Sequence, residues 1–259
     1  MSEFLQVDRQ VSGIVTITFN RPEVRNALNL ATMRTFASTV QKLADDTAIR
    51  AVVLTGAGHD AFCSGGDLFE LSQHTSEQDA LDFITVMGDA LQTLERLPVP
   101  VIAAVNGYAL GGGSEIAIAC DLRVVDESVK IGFVQIRLAL TPGWGAGQRL
   151  LRLIGYSRAM EILLTGRVLH ADELQSLGLA NYVVDHGQSL AFAHNLAKSI
   201  ANNPPDVIYA IKQLLRSGLD NSYEDALAIE RSLFPPLWAA EPHLHAVEQF
   251  LARKNAPEE

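Results

Sequence analysis

The amino-acid sequence predicts an α/β protein whose C-terminal part is entirely helical. Two patterns lead to this prediction. From the N-terminus to about residue 190, short runs of β-branched and other apolar residues alternate with segments in which apolar residues recur at helical spacing. After residue 190, only the helical spacing continues. Strands alternating with helices, followed by helices alone, are typical of an α/β core joined to a helical region.

The predicted strands are short and apolar. Val11 to Phe19 alternates apolar residues with Thr16 and Thr18, as in a strand with one wetter face. Val101 to Val105 is apolar throughout, as in a strand that is buried on both faces. In chain order, strands are predicted over residues 11–19, 51–54, 101–105, 122–125, 129–133 and 180–184.

The predicted helices lie between and after these strands. Leu30, Met33 and Phe36 begin an apolar stripe at the spacing of one helix face. Pro98 and Pro100 end the second helix, because proline lacks the N–H group that a helix interior needs. In chain order, helices are predicted over residues 30–43, 80–94, 114–119, 148–154, 190–201, 207–215, 223–233 and 242–254.

Composition narrows the class of protein. The chain has 259 residues and a hydrophobic content of 48%, enough for a sizeable core. Its net charge of −10 argues against a general nucleic-acid binder. Cys63 and Cys120 have no metal-binding spacing, so we expect no metal and a reducing compartment. We find no signal-peptide pattern at the N-terminus and no apolar run of membrane-span length, so we expect a cytoplasmic protein without a membrane partner.

One stretch combines an anion site with an acid. The strand Val101–Val105 ends at the turn Asn106-Gly107, and Gly111 to Gly113 then lead into a short apolar helix with Glu115 in its first turn. Backbone N–H groups at a helix start, together with the helix dipole, attract negative charge. An anion site beside a carboxylic acid is what enolate chemistry requires.

Other interpretations of the motifs are simpler. Glycines 111–113 alone could form only a tight turn, and they fit neither the dinucleotide fingerprint nor the P-loop. Ser114 does not fit the nucleophile elbow. Asp67 could merely cap the helix that follows it. His243 and His245 are two positions apart on a predicted helix, so they point to different faces and make a poor metal pair.

Three stretches together resemble the crotonase superfamily, the enoyl-CoA hydratase/isomerase proteins. They are Asn-Arg-Pro-Glu-Val-Arg-Asn-Ala-Leu-Asn at 20–29, Ala-Phe-Cys-Ser-Gly-Gly-Asp-Leu at 61–68, and Ala-Val-Asn-Gly-Tyr-Ala-Leu-Gly-Gly-Gly-Ser-Glu-Ile-Ala at 104–117. Their order and spacing make the resemblance specific, and it extends over nearly the whole chain. It implies a crotonase-like spiral of ββα units with an acyl-CoA site over residues 1–190, and a C-terminal helical trimerisation region over residues 191–259.

The resemblance also implies a site. The substrate would be an acyl-CoA thioester, with coenzyme A as part of the substrate, no separate cofactor and no metal. The backbone N–H groups of Gly66 and Gly112 would form an oxyanion hole, and Glu115 occupies the position of the first catalytic glutamate of the hydratases. The resemblance further implies a homotrimer or a dimer of trimers. Contacts to coenzyme A are expected from the first two motifs, at Arg25, Asn26, Ala27, Asp67 and Leu68.

Two residues depart from the hydratase pattern. Gln135 stands twenty positions after Glu115, where the resemblance implies a second glutamate. Glutamine cannot donate and retake a proton as a carboxylic acid does, but it could hold a water while Glu115 transfers protons. Trp144, expected to contact the substrate, stands where hydratases tend to have a small residue.

The predicted function is a lyase of the enoyl-CoA hydratase type in fatty-acid metabolism, which adds water to a 2-enoyl-CoA. Two alternatives use the same enolate: a decarboxylase of methylmalonyl-CoA-like or ethylmalonyl-CoA-like thioesters, suggested by Gln135 and Trp144, and an enoyl-CoA isomerase. A third alternative is a non-catalytic acyl-CoA-binding or RNA-binding relative. The acidic charge disfavours the RNA-binding role, and the retained Glu115 disfavours an inactive site.

Overall fold

The computed structural model describes residues 4–254. Within this range the chain forms ten β-strands and eleven α-helices. The strands are β1 (Leu5–Arg9), β2 (Ile14–Phe19), β3 (Ala51–Gly56), β4 (Ala61–Cys63), β5 (Val101–Val105), β6 (Tyr108–Leu110), β7 (Leu122–Asp126), β8 (Lys130–Gly132), β9 (Val168–His170) and β10 (Tyr182–Val184). The helices are α1 (Leu30–Ala44), α2 (Leu68–Leu71), α3 (Glu77–Arg96), α4 (Gly112–Ala119), α5 (Ala146–Ile154), α6 (Tyr156–Thr165), α7 (Ala171–Ser176), α8 (Ser189–Ala201), α9 (Pro205–Asp220), α10 (Tyr223–Trp238) and α11 (Glu241–Lys254).

Six strands form the main sheet, in the order β1-β2-β3-β5-β7-β10. β1 pairs with β2 in antiparallel fashion, and the remaining neighbours are parallel. Successive side chains of a strand point to opposite faces of the sheet. Ile17 and Leu54 therefore join the larger core, which includes residues of α1 and α3, whereas Ile14 and Val53 pack with Ala193 of α8 in a second cluster.

Four strands form a smaller sheet, in the order β4-β6-β8-β9. β4, β6 and β8 are parallel, and β9 is antiparallel to β8. The carboxyl ends of neighbouring parallel strands meet at the same edge of a sheet. The chain leaves β4 into the loop with Gly65 and Gly66, and leaves β6 into Gly111 and α4. This sheet therefore brings the second and third sequence motifs side by side.

The chain divides into two compact units after Ala201. Helix α8 packs on β3, β5 and β7, so the unit that contains the main sheet runs through this helix rather than ending at residue 190 as predicted. Within the second unit, α9 and α10 pack against each other. α10 continues through Pro235 and Pro236 to Trp238, beyond the predicted end at residue 233.

Several local predictions were wrong. β1 was missed because its alternation of apolar and polar residues is very short, with only Leu5 and Val7 apolar before Asp8 and Arg9. β2 begins at Ile14 rather than at residue 11, since Gly13 has a φ of 82° and belongs to a turn. β4 and β6, three residues each beside glycine turns, were not predicted. The helix predicted from residue 114 begins at Gly112, which places the N–H group of this glycine in the first turn of α4.

Two kinds of feature are absent from residues 4–254. No helix there has both the length and the apolar character that crossing a bilayer requires. No three of their His, Cys, Asp and Glu side chains come together as potential ligands of one metal ion. Cys63 and Cys120 are both buried, and neither is in a disulfide bond.

Candidate active site

Two glycine loops meet at the edge of the smaller sheet. Gly65 packs so closely on the other loop that a Cβ atom there would lie 2.8 Å from the Leu110 carbonyl oxygen and 2.9 Å from the Gly112 nitrogen. Gly66 forms a parallel β-bridge with Leu28. Within the described part of the chain, no acceptor takes the N–H group of Gly66 or of Gly112. The two N–H groups predicted for an oxyanion hole thus belong to loops in contact and are available to a ligand.

Glu115 is buried in the first turn of α4 and is held by four N–H donors. Its Oε2 accepts from the backbone N–H groups of Trp144 at 2.8 Å and Ala146 at 3.0 Å. Its Oε1 accepts from Nε2 of Gln135 at 2.9 Å and from the Gly143 N–H at 3.4 Å. Three of these donors are backbone groups of the turn that enters α5, so the carboxylate is fixed by main chain as well as by a side chain.

The surroundings of Glu115 shift its pKa in opposite directions. Burial raises the pKa above the ordinary value of 4.5, because a buried charge loses hydration. The N–H groups of Ala146, Trp144, Gly143 and Gln135 lower it, because they stabilise the ionised form. Burial outweighs them, and the pKa is raised. A raised pKa suits a carboxyl group that takes up and returns a proton near neutral pH.

Gln135 joins Glu115 from the short 3₁₀ turn Val134–Leu138 that follows β8. The position counted from the sequence is therefore beside the carboxylate in space. While Nε2 donates to Glu115, the buried Oε1 receives no hydrogen bond from the described residues. A buried amide oxygen without a donor is costly, so this atom is suited to accept from a water or a substrate hydroxyl.

Trp144 connects the two parts of the site. Its backbone N–H group donates to Glu115, and the six-membered ring of its indole lies against the backbone of Gly112. A Cβ atom at Gly112 would lie only 2.5 Å from Cη2 of this ring. The indole is buried and walls the space between the candidate oxyanion donor and the carboxylate.

The first motif contributes a tight turn. Arg25 and Asn26 both have left-handed backbone conformations, with φ of 55° and 57°. The Asn26 side chain is buried and donates to the carbonyl oxygens of Ala57 at 3.0 Å and Ala61 at 2.7 Å. Its amide therefore ties the turn to the strands rather than pointing to a ligand. Arg25 is exposed, with its guanidinium 5.9 Å from the ring centre of Tyr108.

Arg21 is a structural residue that the sequence interpretation missed. Its Nη1 donates to the Ala27 carbonyl oxygen at 2.7 Å and to the Asp67 carboxylate at 2.9 Å, joining the first motif to the second. Asp67 precedes α2 but makes no capping hydrogen bond, so the capping interpretation is wrong. Ala27 is buried, whereas Leu68 is exposed at the start of α2. An arginine beside a proline in a polar loop carries no signal that distinguishes it from a solvated side chain.

Most of the chain matches one known family. The model of the enoyl-CoA hydratase/isomerase family matches residues 9–257. This chain belongs to the enoyl-CoA hydratase/isomerase family. The short-chain-enoyl-CoA hydratase of Clostridium acetobutylicum is 34% identical over 242 residues, which cover 93% of this chain and 92% of the relative. The 2,3-dehydroadipyl-CoA hydratase of Escherichia coli is 36% identical over 255 residues, which cover 98% of each protein.

Solved structures of the family have the same fold. The crystal structure of an enoyl-CoA hydratase from Bacillus anthracis aligns with a TM-score of 0.91 at 34% identity, over 98% of each chain. That of an enoyl-CoA hydratase from Mycobacterium smegmatis aligns with a TM-score of 0.92 at 31% identity, over 99% of each chain. The predicted crotonase-like α/β fold with a C-terminal helical region is therefore confirmed.

Proposed function

We propose that this enzyme is an enoyl-CoA hydratase in which Glu115 is the proton-transferring carboxylate. The observation that carries the proposal is the buried carboxylate of Glu115, held by four N–H donors beside the available N–H groups of Gly66 and Gly112. Family membership and the hydratase names of the relatives support an acyl-CoA thioester as the substrate.

The two glycine N–H groups stabilise the charge that develops during the reaction. When an oxygen nucleophile adds to C3 of a 2-enoyl thioester, negative charge moves to the thioester oxygen. Gly66 and Gly112 donate to that oxygen without moving, since close packing fixes their loops. One such donor is worth ~3 kcal/mol of transition-state stabilisation. Gly112 has the dipole of α4 behind it as well.

One carboxylate serves as base and then as acid. A water molecule donates one O–H to Oε1 of Gln135 and the other to the ionised Glu115, which takes that proton as the water oxygen bonds to C3. The resulting enolate then receives the same proton from Glu115 at C2. The product is a 3-hydroxyacyl thioester, and the carboxylate is restored to its ionised form.

The thioester reaches this site along the first two motifs. We propose that Arg25, which is exposed, meets a phosphate of coenzyme A, and that the exposed side chain of Leu68 lies along its pantetheine arm. Asn26, Ala27 and Asp67 shape this groove through the turn and the Arg21 contacts. The ring of Trp144 occupies one side of the acyl space, which favours a short acyl group.

The first test is hydration of crotonyl-CoA, followed as loss of the enoyl-thioester absorbance. We expect turnover by the wild-type enzyme and formation of 3-hydroxybutyryl-CoA. Tight binding of a non-reactive acyl-CoA without any turnover of 2-enoyl thioesters would reject the hydratase proposal.

The rate of hydration is expected to fall as the pH falls through the pKa of Glu115. The ionised carboxylate takes the proton from water, and burial raises its pKa, so the acid limb of kcat/KM lies above the ordinary 4.5. The profile is best measured with crotonyl-pantetheine, which lacks the phosphates of coenzyme A. If the acid limb of kcat/KM in folded enzyme had its midpoint at or below pH 4.5, the role of Glu115 would be contradicted.

Replacing Gln135 by methionine is expected to lower kcat for hydration about 10- to 100-fold, the equivalent of a lost hydrogen bond of ~1–3 kcal/mol. The change keeps the side-chain length but removes both the acceptor for water and the donor to Glu115. The matched variant Gln135→Glu restores an acceptor oxygen and is expected to keep most of the activity. Equal activity in Gln135→Met and wild type would show that Gln135 does not position the water.

A second candidate function is compatible with glutamine at position 135. Decarboxylation of a substituted malonyl-CoA forms the same enolate by loss of carbon dioxide, so it needs the oxyanion donors and a proton donor but no second carboxylate. Carbon dioxide release from methylmalonyl-CoA or ethylmalonyl-CoA, in the absence of crotonyl-CoA hydration, would favour this function. Movement of the double bond of a 3-enoyl-CoA would favour an isomerase.

The oligomeric state and cellular location of the enzyme are also proposed. We propose a homotrimer or a dimer of trimers, supported by exposed apolar side chains on α9 and α10 that include Leu215, Phe234 and Trp238. A cytoplasmic location is supported by Cys63 and Cys120, which form no disulfide bond, as is typical of reducing compartments. Burial raises the pKa of the Cys63 thiol to about 12, so this cysteine is inert in the proposed chemistry.

A further inference from the structure

A forked ion pair lies behind the turn that holds Glu115. Arg149 of α5 donates through Nε and Nη2 to the two carboxylate oxygens of Glu95 on α3, at 2.9 and 3.0 Å. Its remaining nitrogen, Nη1, donates to the carbonyl oxygen of Trp144 at 2.5 Å. The Arg149 and Glu95 side chains are only 12% and 21% exposed. The guanidinium therefore ties the turn to α3.

Open space lies behind the turn on the side of this tie. Gly143 and Gly145 flank Trp144, and Gly145 has a φ of 103°. A crevice of about 360 Å³ between α3 and α5 lies against Gly143, Trp144 and Gly145, on the side of the turn that faces away from Glu115. On the inner side, the N–H groups of Trp144 and Ala146 point to Glu115. A glycine-rich turn with open space behind it needs a fixed contact to keep its amides aimed.

We propose that Glu95 and Arg149 are a positioning pair that holds the Trp144 carbonyl group and thereby keeps the turn's N–H groups on the Glu115 carboxylate. Trp144 is then held from both sides, its carbonyl by Arg149 and its N–H by Glu115. Neither member of the pair touches the reacting atoms. The inference rests on the proposed function, because it gives the pair a role in the proton transfer assigned to Glu115.

The charges of Glu95 and Arg149 do not act directly on the Glu115 carboxylate. The strands β4 and β6, which pack on α4, bring no charged side chain to Glu115. The shift in the pKa of Glu115 arises from burial and from the four N–H bonds, with no contribution from a charged group. The pair therefore acts through the backbone turn. The charged side chains that line the crevice are Asp89, Glu95, Arg149 and Arg152, and the 3₁₀ turn carries Arg137.

Arg149→Met tests the proposal. We expect kcat for crotonyl-CoA hydration to fall by about 10-fold or more with little change in KM, because the coenzyme A contacts proposed for Arg25 and Leu68 lie on other segments of the chain. We also expect the acid limb of kcat/KM to move to higher pH, since a carboxylate that loses N–H donors holds its proton more tightly. Glu95→Gln should produce a smaller change in the same direction, and Arg149→Lys, which keeps the charge but loses the fork, should lie between wild type and Arg149→Met.

A matched control is available on the surface. Arg167 makes a similar fork with Glu161, through Nε to Oε1 at 2.6 Å and Nη2 to Oε2 at 3.0 Å. Arg167→Met removes this fork together with the ion pair between Arg167 and Glu173, and it is expected to keep the wild-type kcat and acid limb. A purely structural role of Arg149 would lower the melting temperature and leave the limb unchanged.

A second readout does not depend on turnover. In protein labelled with ¹³C-glutamate, the Glu115 carboxyl signal, assigned by its absence in Glu115→Gln, should titrate at higher pH in Arg149→Met and Glu95→Gln. Unchanged titration and an unchanged acid limb in these variants would overturn the proposal, and if Arg149→Met does not fold, Glu95→Gln and Arg149→Lys decide. Wild-type enzyme that binds crotonyl-CoA without hydrating it would reject the proposed function, while the titration would still test the pair.

Discussion

Replacing Glu115 by glutamine is expected to lower kcat for crotonyl-CoA hydration about 10³-fold, within the range that a general acid–base residue contributes. The substitution removes the ionisable group and keeps the size of the side chain. Its surroundings can adapt, because the new amide oxygen can accept from Trp144 and Ala146. Gln135 can turn its own amide so that its oxygen accepts from the new NH₂ group. We therefore expect the fold and the affinity for coenzyme A to change little.

The control for this experiment is Glu161→Gln, which neutralises an exposed carboxylate paired with Arg167. It is expected to keep full activity, because exposed ion pairs contribute little. Loss of the enoyl-thioester absorbance gives kcat, and circular dichroism gives the melting temperature. A Glu115→Gln enzyme that binds coenzyme A normally and retains more than about a tenth of the wild-type kcat would contradict proton transfer by Glu115.

The longest apolar patterns predicted their elements well. α1 is predicted over residues 30–43 and observed as Leu30–Ala44, because its apolar stripe faces the core along its whole length. Short elements were missed where tertiary pairing decides the conformation. β6 has three residues between two glycine turns and is a strand because β4 and β8 flank it. No element was predicted for residues 156–176, where α6, β9 and α7 lie.

The candidate site was predicted as far as its side chains carry a motif. Counting from Glu115 to Gln135 placed the amide where the structure has it, 2.9 Å from the carboxylate. The backbone donors of Trp144 and Ala146 could not be predicted, because every residue except proline has an N–H group and only the folded turn aims it. Arg149 was missed for a related reason: an arginine on an amphipathic helix is usually solvated, and its partner Glu95 is 54 positions away in the chain.

Gly112→Ala is expected to lower kcat about 10²- to 10³-fold, the loss associated with one oxyanion donor. The added Cβ would overlap the six-membered ring of Trp144, lying 2.5 Å from Cη2. Real Cβ atoms do not approach so closely, so either the ring or the first turn of α4 must shift. A shift of the turn moves the Gly112 N–H away from the thioester oxygen. Crotonyl-CoA hydration measures the loss, and Gly218→Ala, whose Cβ meets no atom within 4 Å, is the matched control.

A smaller side chain at position 144 is expected to rescue that loss. In Gly112→Ala/Trp144→Leu the shorter side chain leaves space for the added methyl group, while the backbone N–H of the residue can still donate to Glu115. We expect the double variant to recover at least about tenfold over Gly112→Ala, a coupling of ~1.4 kcal/mol between two residues in contact. Additive losses would mean that the methyl group disturbs the oxyanion position through α4 itself. Recovery would assign the sensitivity of Gly112 to the indole, and would make Trp144 the residue that fixes this side of the acyl space.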